Sequence, residues 1–200
     1  MKFPSRHLLD CAASIALTNV IVMLPNQSAY AQYKNPCPDY PPIPASQNDR
    51  LVQLRKFNIE FKIPANYKTV SSGNNDEIHV GIYNPSSFRT VTCMVQNKIG
   101  AEDFYVLVHI HVKTLDKKED LVSINQKIHT RGGTWNIRNV TVNGQKAIRY
   151  RHSHLSSENI GFSFLKSDGK TLVNISYAPS TKSSIVDTEK LAAQIVDSIR

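Results

Sequence analysis

The sequence lacks the short motifs that mark several common classes of enzyme. It has no Gly-x-Ser-x-Gly nucleophile elbow, and its one Gly-Gly pair, Gly132-Gly133, lacks the flanking pattern of a phosphate-binding loop. Its adjacent carboxylates, Glu102-Asp103 and Glu119-Asp120, point apart on a strand or helix, so they predict no acid/base pair. We therefore expect no catalytic residues, and an exported enzyme of unknown class is the weakest of the alternatives.

Long apolar runs are also scarce, and only Cys11 to Leu24 approaches the length of a membrane span. This run follows a short basic segment and precedes Ala29-Tyr30-Ala31, which fits an A-x-A cleavage site. We predict a signal peptide over residues 1–31 and a mature N-terminus at Gln32. A membrane anchor is the alternative, but the run is shorter than the roughly 20 residues that a spanning helix needs. The expected location is the periplasm, the thylakoid lumen or the exterior of the cell.

Only two cysteines follow the predicted cleavage site, Cys37 and Cys93. An exported protein can keep a disulfide, so we predict that these two residues pair. The alternative is that Cys37 lies in a mobile tail and never meets Cys93, which would then be a buried strand residue.

The charge of the chain is basic, with 24 Lys and Arg against 16 Asp and Glu, a net +8. Loss of Lys2, Arg6 and Asp10 with the leader leaves +7. Such a balance favours an acidic protein surface or a membrane complex as partner, with peripheral contact to anionic lipid. The predicted export argues against nucleic acid as a partner. The alternative is a solvated surface charge that serves solubility, and the sequence predicts no oligomeric state.

The mature chain divides into a proline-rich tail or linker, residues 32–54, and a domain, residues 55–200. Proline fixes φ and removes a hydrogen-bond donor, so the first segment is predicted to be extended. Within the domain, alternating apolar residues predict strands at 57–63, 78–82, 91–95 and 104–113. Val91, Cys93 and Val95 are expected on the inner face of the third of these.

Helices and hairpins complete the predicted domain. Asp116 and Glu119 resemble a capping box before a helix that continues to Ile128. Asn143-Gly144 and Ser167-Asp168-Gly169 each predict a hairpin turn, and a last helix is expected over 185–199. The result is an α+β fold, with an antiparallel sheet of about six or seven strands sandwiched by helices.

Three stretches of the sequence resemble a known family. They are Phe57 to Pro64 with Tyr67, Val140 to Ala147, and Tyr177-Ala-Pro179 with the helix that ends at Ile199. This pattern is similar to the PsbP-like domains of photosystem II extrinsic proteins and their Mog-type sandwich relatives, over residues 55–200. The resemblance implies an α/β/α sandwich, a lumenal or periplasmic location, and binding rather than catalysis. No functional residue carries over by motif.

Two His-x-His pairs on predicted strands are candidate metal ligands. His109 and His111 share one face of a strand, and His152 and His154 share one face of another. Neutral imidazole binds Zn or Cu, and four histidines would converge if the two strands were neighbours. The alternative is that they are ordinary polar residues of an exposed strand face, in which case the protein has no cofactor. His79 and His129 are predicted to be isolated surface residues.

A second candidate site is a basic surface. Arg149 and Arg151 share the strand face opposite to His152 and His154, and Arg131 and Arg138 are close in sequence. This arrangement favours docking of an acidic partner, although charged residues also protect exposed sheet faces and edges. The preferred hypothesis is an exported, non-enzymatic accessory protein that binds a photosystem or another membrane complex through this basic face and the proline-rich tail. A periplasmic or lumenal Zn- or Cu-binding protein is the first alternative.

The predicted leader can be tested directly. N-terminal sequencing of the exported protein is expected to begin at Gln32, because Ala29 and Ala31 occupy the small-residue positions of the cleavage site. A mature protein that retains residues 1–31 would contradict the prediction.

Overall fold

The computed structural model describes residues 36–38, 40–98, 105–117, 119–129, 133–154, 157–179 and 187–200. The predicted leader, the cleavage site at Gln32 and the candidate residue Arg131 lie outside these residues. Within them, no helix is long and apolar enough to cross a membrane.

Nine strands and three helices make up the described part of the chain. The strands are β1 (Asp49–Leu54), β2 (Ile59–Pro64), β3 (Lys68–Gly73), β4 (Glu77–Tyr83), β5 (Val108–Thr114), β6 (Thr134–Val142), β7 (Gln145–His154), β8 (Ser157–Leu165) and β9 (Thr171–Tyr177). The helices are α1 (Pro85–Gln96), α2 (Leu121–Ile128) and α3 (Thr188–Ser198). Strand β1 lies within the segment predicted to be a linker, so the fold includes residues upstream of 55.

Seven of the strands form one antiparallel sheet in the order β3-β4-β5-β9-β8-β7-β6, and β1 pairs with β2 in a separate hairpin. Both turn predictions are confirmed: Asn143 and Gly144 adopt positive φ between β6 and β7, and β8 returns as β9 through Gly169. The last strand, β9, is inserted between β5 and β8. The predicted α+β fold with a seven-stranded antiparallel sheet is therefore correct.

The two faces of the sheet differ in chemistry. Along β5, the alternate residues Val108, Ile110 and Val112 are fully buried in the apolar core. Helix α3 adds Leu191 and Ile195 to this core, which also contains the apolar residues of the β1-β2 hairpin. The opposite face carries the intervening polar residues and is partly covered by α2, whose Asn125 side chain lies 2.9 Å from Ser163 Oγ of β8. The sheet is thus enclosed between α3 on its apolar face and α2 on its polar face.

The prediction of a strand at 91–95 is wrong, because these residues belong to α1. Asn84 caps the helix by accepting a hydrogen bond from the Ser87 amide, and Pro85 occupies the first turn, where its missing N–H costs nothing. Met94 is three positions after Val91 and four after Thr90, so these three buried residues lie on one side of the helix.

The capping box predicted at Asp116 is also displaced. Helix α2 begins after Asp120, whose carboxylate accepts a hydrogen bond from the Ser123 amide at 3.0 Å. Glu119 instead forms an ion pair with Lys127. The helix contains Leu121, Ile124 and Ile128, as their apolar spacing predicts, but it starts one turn later than the predicted cap.

The proline-rich segment is fastened to α1. The Ser86 hydroxyl donates to the carbonyl oxygen of Pro41 at 2.5 Å, and the Thr90 hydroxyl lies 3.3 Å from that of Pro38. Cys37 is buried and is bonded to Cys93 of α1, with Cα atoms 5.6 Å apart. This part of the segment therefore packs against the domain.

The disulfide yields a stability prediction. Cys37 and Cys93 are 56 positions apart, and closing a loop of this length stabilises the folded state by about 4 kcal/mol in the chain-entropy model. The free energies of unfolding of the oxidised and the reduced protein, measured by urea denaturation, are expected to differ by up to that amount. The double variant Cys37→Ser/Cys93→Ser serves as the control and should match the reduced protein. Two titratable thiols in the unreduced exported protein would contradict the pairing.

A close approach on the polar face gives a second prediction. Gly161 lies beside the ring of Tyr150, and a Cβ at position 161 would overlap that ring. Gly161→Ala is expected to destabilise the fold by about 1–3 kcal/mol, because the buried ring cannot move freely. Chemical denaturation would measure the loss. Ser176→Ala, at the position paired with Gly161 in the sheet, is the matched control and should have a much smaller effect.

Candidate functional site

The polar face of the sheet gathers five histidines, which we call the histidine face: His79, His109, His111, His129 and His152. They line one cavity of about 260 Å³ together with Tyr150 and Asn174. Four of the five lie on strands and His129 follows α2 directly, so four separate parts of the chain (β4, β5, the end of α2 and β7) contribute imidazoles to one place.

The register of the sheet explains this convergence. One row of directly paired residues crosses five strands on the polar face: His79, His111, Asn174, Ser163 and Ile148. The next row is Gly81, His109, Ser176, Gly161 and Tyr150. The small residues of the second row leave room above the middle of the sheet.

The predicted quartet of His109, His111, His152 and His154 is only partly brought together. Strands β5 and β7 are not neighbours, because β9 and β8 lie between them. His109, His111 and His152 nevertheless line the same cavity, whereas the side chain of His154 lies outside the described part of the structure. The convergence therefore arises across the sheet and not from adjacent strands.

Two histidines predicted to be isolated belong to this face, so that prediction is wrong. His79 stacks on His111 with ring centroids 4.4 Å apart and planes 1° apart. His129 stacks on His152 at 3.9 Å, and its Nε2 lies 3.2 Å from the hydroxyl of Tyr150. Burial raises the pKa of Tyr150 to about 12, so its phenol stays protonated at physiological pH.

Glu77 completes the histidine face at its β4 end and was missed from the sequence. Its Oε1 lies 2.6 Å from His111 Nε2 and 3.4 Å from His79 Nε2, and its Oε2 lies 3.2 Å from Lys113 Nζ. Among the described residues, Glu77, His79 and His111 form the one group of three metal-ligand side chains whose ligand atoms lie within 4.8 Å of one another. The available signal was Glu77-x-His79 on an alternating strand, but its partner strand could not be read from the sequence.

The electrostatics of this cluster favour a neutral imidazole beside a carboxylate. Burial lowers the pKa of His111, and so does the charge of the stacked His79, against the opposing effect of Glu77. Burial alone raises the pKa of Glu77, but hydrogen bonds from Lys113 and His111 outweigh it and the net pKa is lowered.

The three described candidate arginines, Arg138, Arg149 and Arg151, lie on the other face of the sheet, near its β6 edge. Arg138 pairs in register with Arg149, and Trp135 pairs with Arg151. We call these four residues the arginine patch. Arg138 is exposed, as is Trp135 at 39 %, whereas Arg149 and Arg151 are half-buried.

The half-buried arginines are held by neighbours. Arg151 forms an ion pair with Glu158, and the Arg149 guanidinium lies 5.9 Å from the ring centroid of Phe162. Burial, aided by Glu189, raises the pKa of Tyr177, while Arg149 and Arg151 oppose that rise. Of the three described candidate arginines, Arg138 is thus the most available to a partner.

Comparison with known proteins finds similarity in structure alone. No protein-family model matches the chain, and no curated protein matches it in sequence. Similar solved structures include the cyanobacterial PsbP (CyanoP) of Synechocystis sp. PCC 6803, with a TM-score of 0.48 and 10 % identity, covering 79 % of this chain and 94 % of that one. They also include the Ran-binding protein Mog1p of Saccharomyces cerevisiae, with a TM-score of 0.41 and 15 % identity over 78 % and 96 % of the two chains. A variant of the protein Mog1 matches with a TM-score of 0.43 and 15 % identity, covering 76 % of this chain and 95 % of that one. PsbP and Mog are the families that the sequence pattern resembles, and at these identities the likeness concerns the fold alone.

Proposed function

We propose that this chain is an exported, non-enzymatic accessory protein that binds an acidic protein partner, such as a subunit of a photosystem or another membrane complex, through its arginine patch. The observation that carries the proposal is the pairing of Arg138 with Arg149 and of Trp135 with Arg151 on one sheet face. Arginine and tryptophan are the residue types most enriched among those that dominate binding energy at protein interfaces.

The arrangement of charge within the patch supports an acidic partner. Arg138 is exposed, and its Nε donates only to the side chain of neighbouring Asn136 among the contacts described. Arg149 and Arg151 are held in place by Phe162 and Glu158, which reduces the entropy lost when they engage a ligand. The net charge of +7 expected for the mature chain adds a long-range attraction that speeds association.

The proline-rich segment was also predicted to contribute to binding, and part of it is held against α1. A disulfide and two hydrogen bonds fasten Cys37, Pro38 and Pro41 to α1. We therefore expect this stretch to contribute mainly to the stability of the domain and less to binding. The proposal therefore rests on the arginine patch.

Charge reversal at the exposed arginine tests the proposal. The mature protein is used to capture partners from membrane extracts at low salt, a captured protein is identified, and association with it is then measured for Arg138→Glu. The on-rate is expected to fall about tenfold at low salt and to approach that of wild type at high salt, because the attraction is screened.

Lys170→Glu is the matched control. Lys170 is exposed in the turn between β8 and β9. Arg151 is paired across the sheet with Ile160 of β8, which in turn is paired with Tyr177 of β9. These residues are at the end of β8 and β9 that is far from the turn, so Lys170 is remote from Arg151. The Lys170→Glu substitution changes the net charge by the same amount as Arg138→Glu but away from the arginine patch, so it should alter the on-rate much less. Equal effects of the two variants, or capture that is insensitive to salt, would overturn the proposal.

A further inference from the structure

The cluster of Glu77, His79 and His111 combines three ligand side chains on two paired strands. Glu77 and His79 alternate on β4 and so share one face, and His111 is directly opposite His79 on β5. Both imidazole Nε2 atoms approach the same carboxylate oxygen, Oε1 of Glu77. The three ligand atoms therefore surround one small volume at the rim of the cavity.

We propose that Glu77, His79 and His111 bind a divalent transition-metal ion, with Zn²⁺ as the ion that best fits these ligands. Two imidazoles and one carboxylate are a common protein ligand set for zinc, with water in the remaining position. This site differs from the quartet expected from sequence, since it includes His111 but neither His109 nor His152.

The distances are close to those that a bound ion requires. Ligand atoms about 2.1 Å from a tetrahedral Zn²⁺ lie about 3.4 Å from one another. The separation between His79 Nε2 and Glu77 Oε1 is already 3.4 Å. That between His111 Nε2 and the same oxygen is 2.6 Å and must widen by about 0.8 Å, which rotation of the Glu77 carboxylate can supply. The exposed His79 ring must also turn out of its parallel stack on His111, because a metal ion lies in the plane of each imidazole that binds it.

The surroundings leave access for the ion and for water. The side chain of His79 is 54 % exposed and that of Glu77 is 31 % exposed. The side chain of His111 is only 14 % exposed. His79 and His111 also form part of the cavity wall, which leaves space beside the cluster for water as a further ligand.

Lys113 is a nearby cation that opposes metal binding. Its ammonium lies 3.2 Å from Glu77 Oε2, so it occupies the carboxylate oxygen that the two histidines do not use. Its positive charge should weaken metal affinity without blocking the site. Removal of this charge is therefore expected to strengthen binding, and a site elsewhere on the histidine face would not respond in this way.

Calorimetry with ZnCl₂ tests the site in the purified mature protein, near neutral pH and in a buffer that does not chelate metal. One Zn²⁺ per chain is expected. His79→Ala and Glu77→Gln should each weaken binding at least tenfold, and both positions are open enough to solvent for the fold to persist. Lys113→Gln should tighten binding several-fold. Co²⁺ absorption in the visible region provides a second readout, because a four-coordinate site absorbs intensely.

His109→Ala and His152→Ala are the matched controls, since both residues line the same cavity but lie outside the cluster. They should bind Zn²⁺ as wild type does. The proposal is overturned if the wild-type protein binds no zinc, or if binding survives both His79→Ala and Glu77→Gln. Loss of binding in the control variants equal to that in His79→Ala would place the ion in the cavity and would likewise overturn it.

Discussion

The alternation of side chains along the central strands is the constraint on which the rest of this structure depends. Val108, Ile110 and Val112 of β5 are fully buried with Val173 and Ile175 of β9 beside them. Because successive residues of a strand point to opposite faces, burial of this set forces the intervening residues to the other side of the sheet. The histidine face is thus a direct consequence of how the apolar core forms.

Strand β7 shows how one alternating segment supplies two unlike surfaces. Arg149 and Arg151 point to the side of the buried Ala147, whereas Tyr150 and His152 point to the cavity. The sheet separates these two surfaces. A partner could therefore occupy the arginine patch while the histidine face stays open to solvent.

Local sequence predicted those features that local chemistry controls. The Asn143-Gly144 turn, the two faces of β5 and the apolar side of α3 each depend on residues near one another in the chain. Helix α1 was missed because Val91, Cys93 and Val95 happen to alternate, although Asn84 and Pro85 are typical of a helix start. The pairing of His79 with His111 and the insertion of β9 between β5 and β8 are long-range events, so no local pattern could reveal them.

The covalent link between Cys37 and Cys93 also determines how the molecule would bear mechanical load. Strands β1 to β4 and most of α1 lie between these two residues, inside a closed loop. Tension applied between the N-terminal side and the C-terminal side would pass across the sulfur bridge into the end of α1 and onward to β5. The covalent chain of the loop would carry none of that force, so strands β1 to β4 could not be pulled out to full extension while the bridge is intact.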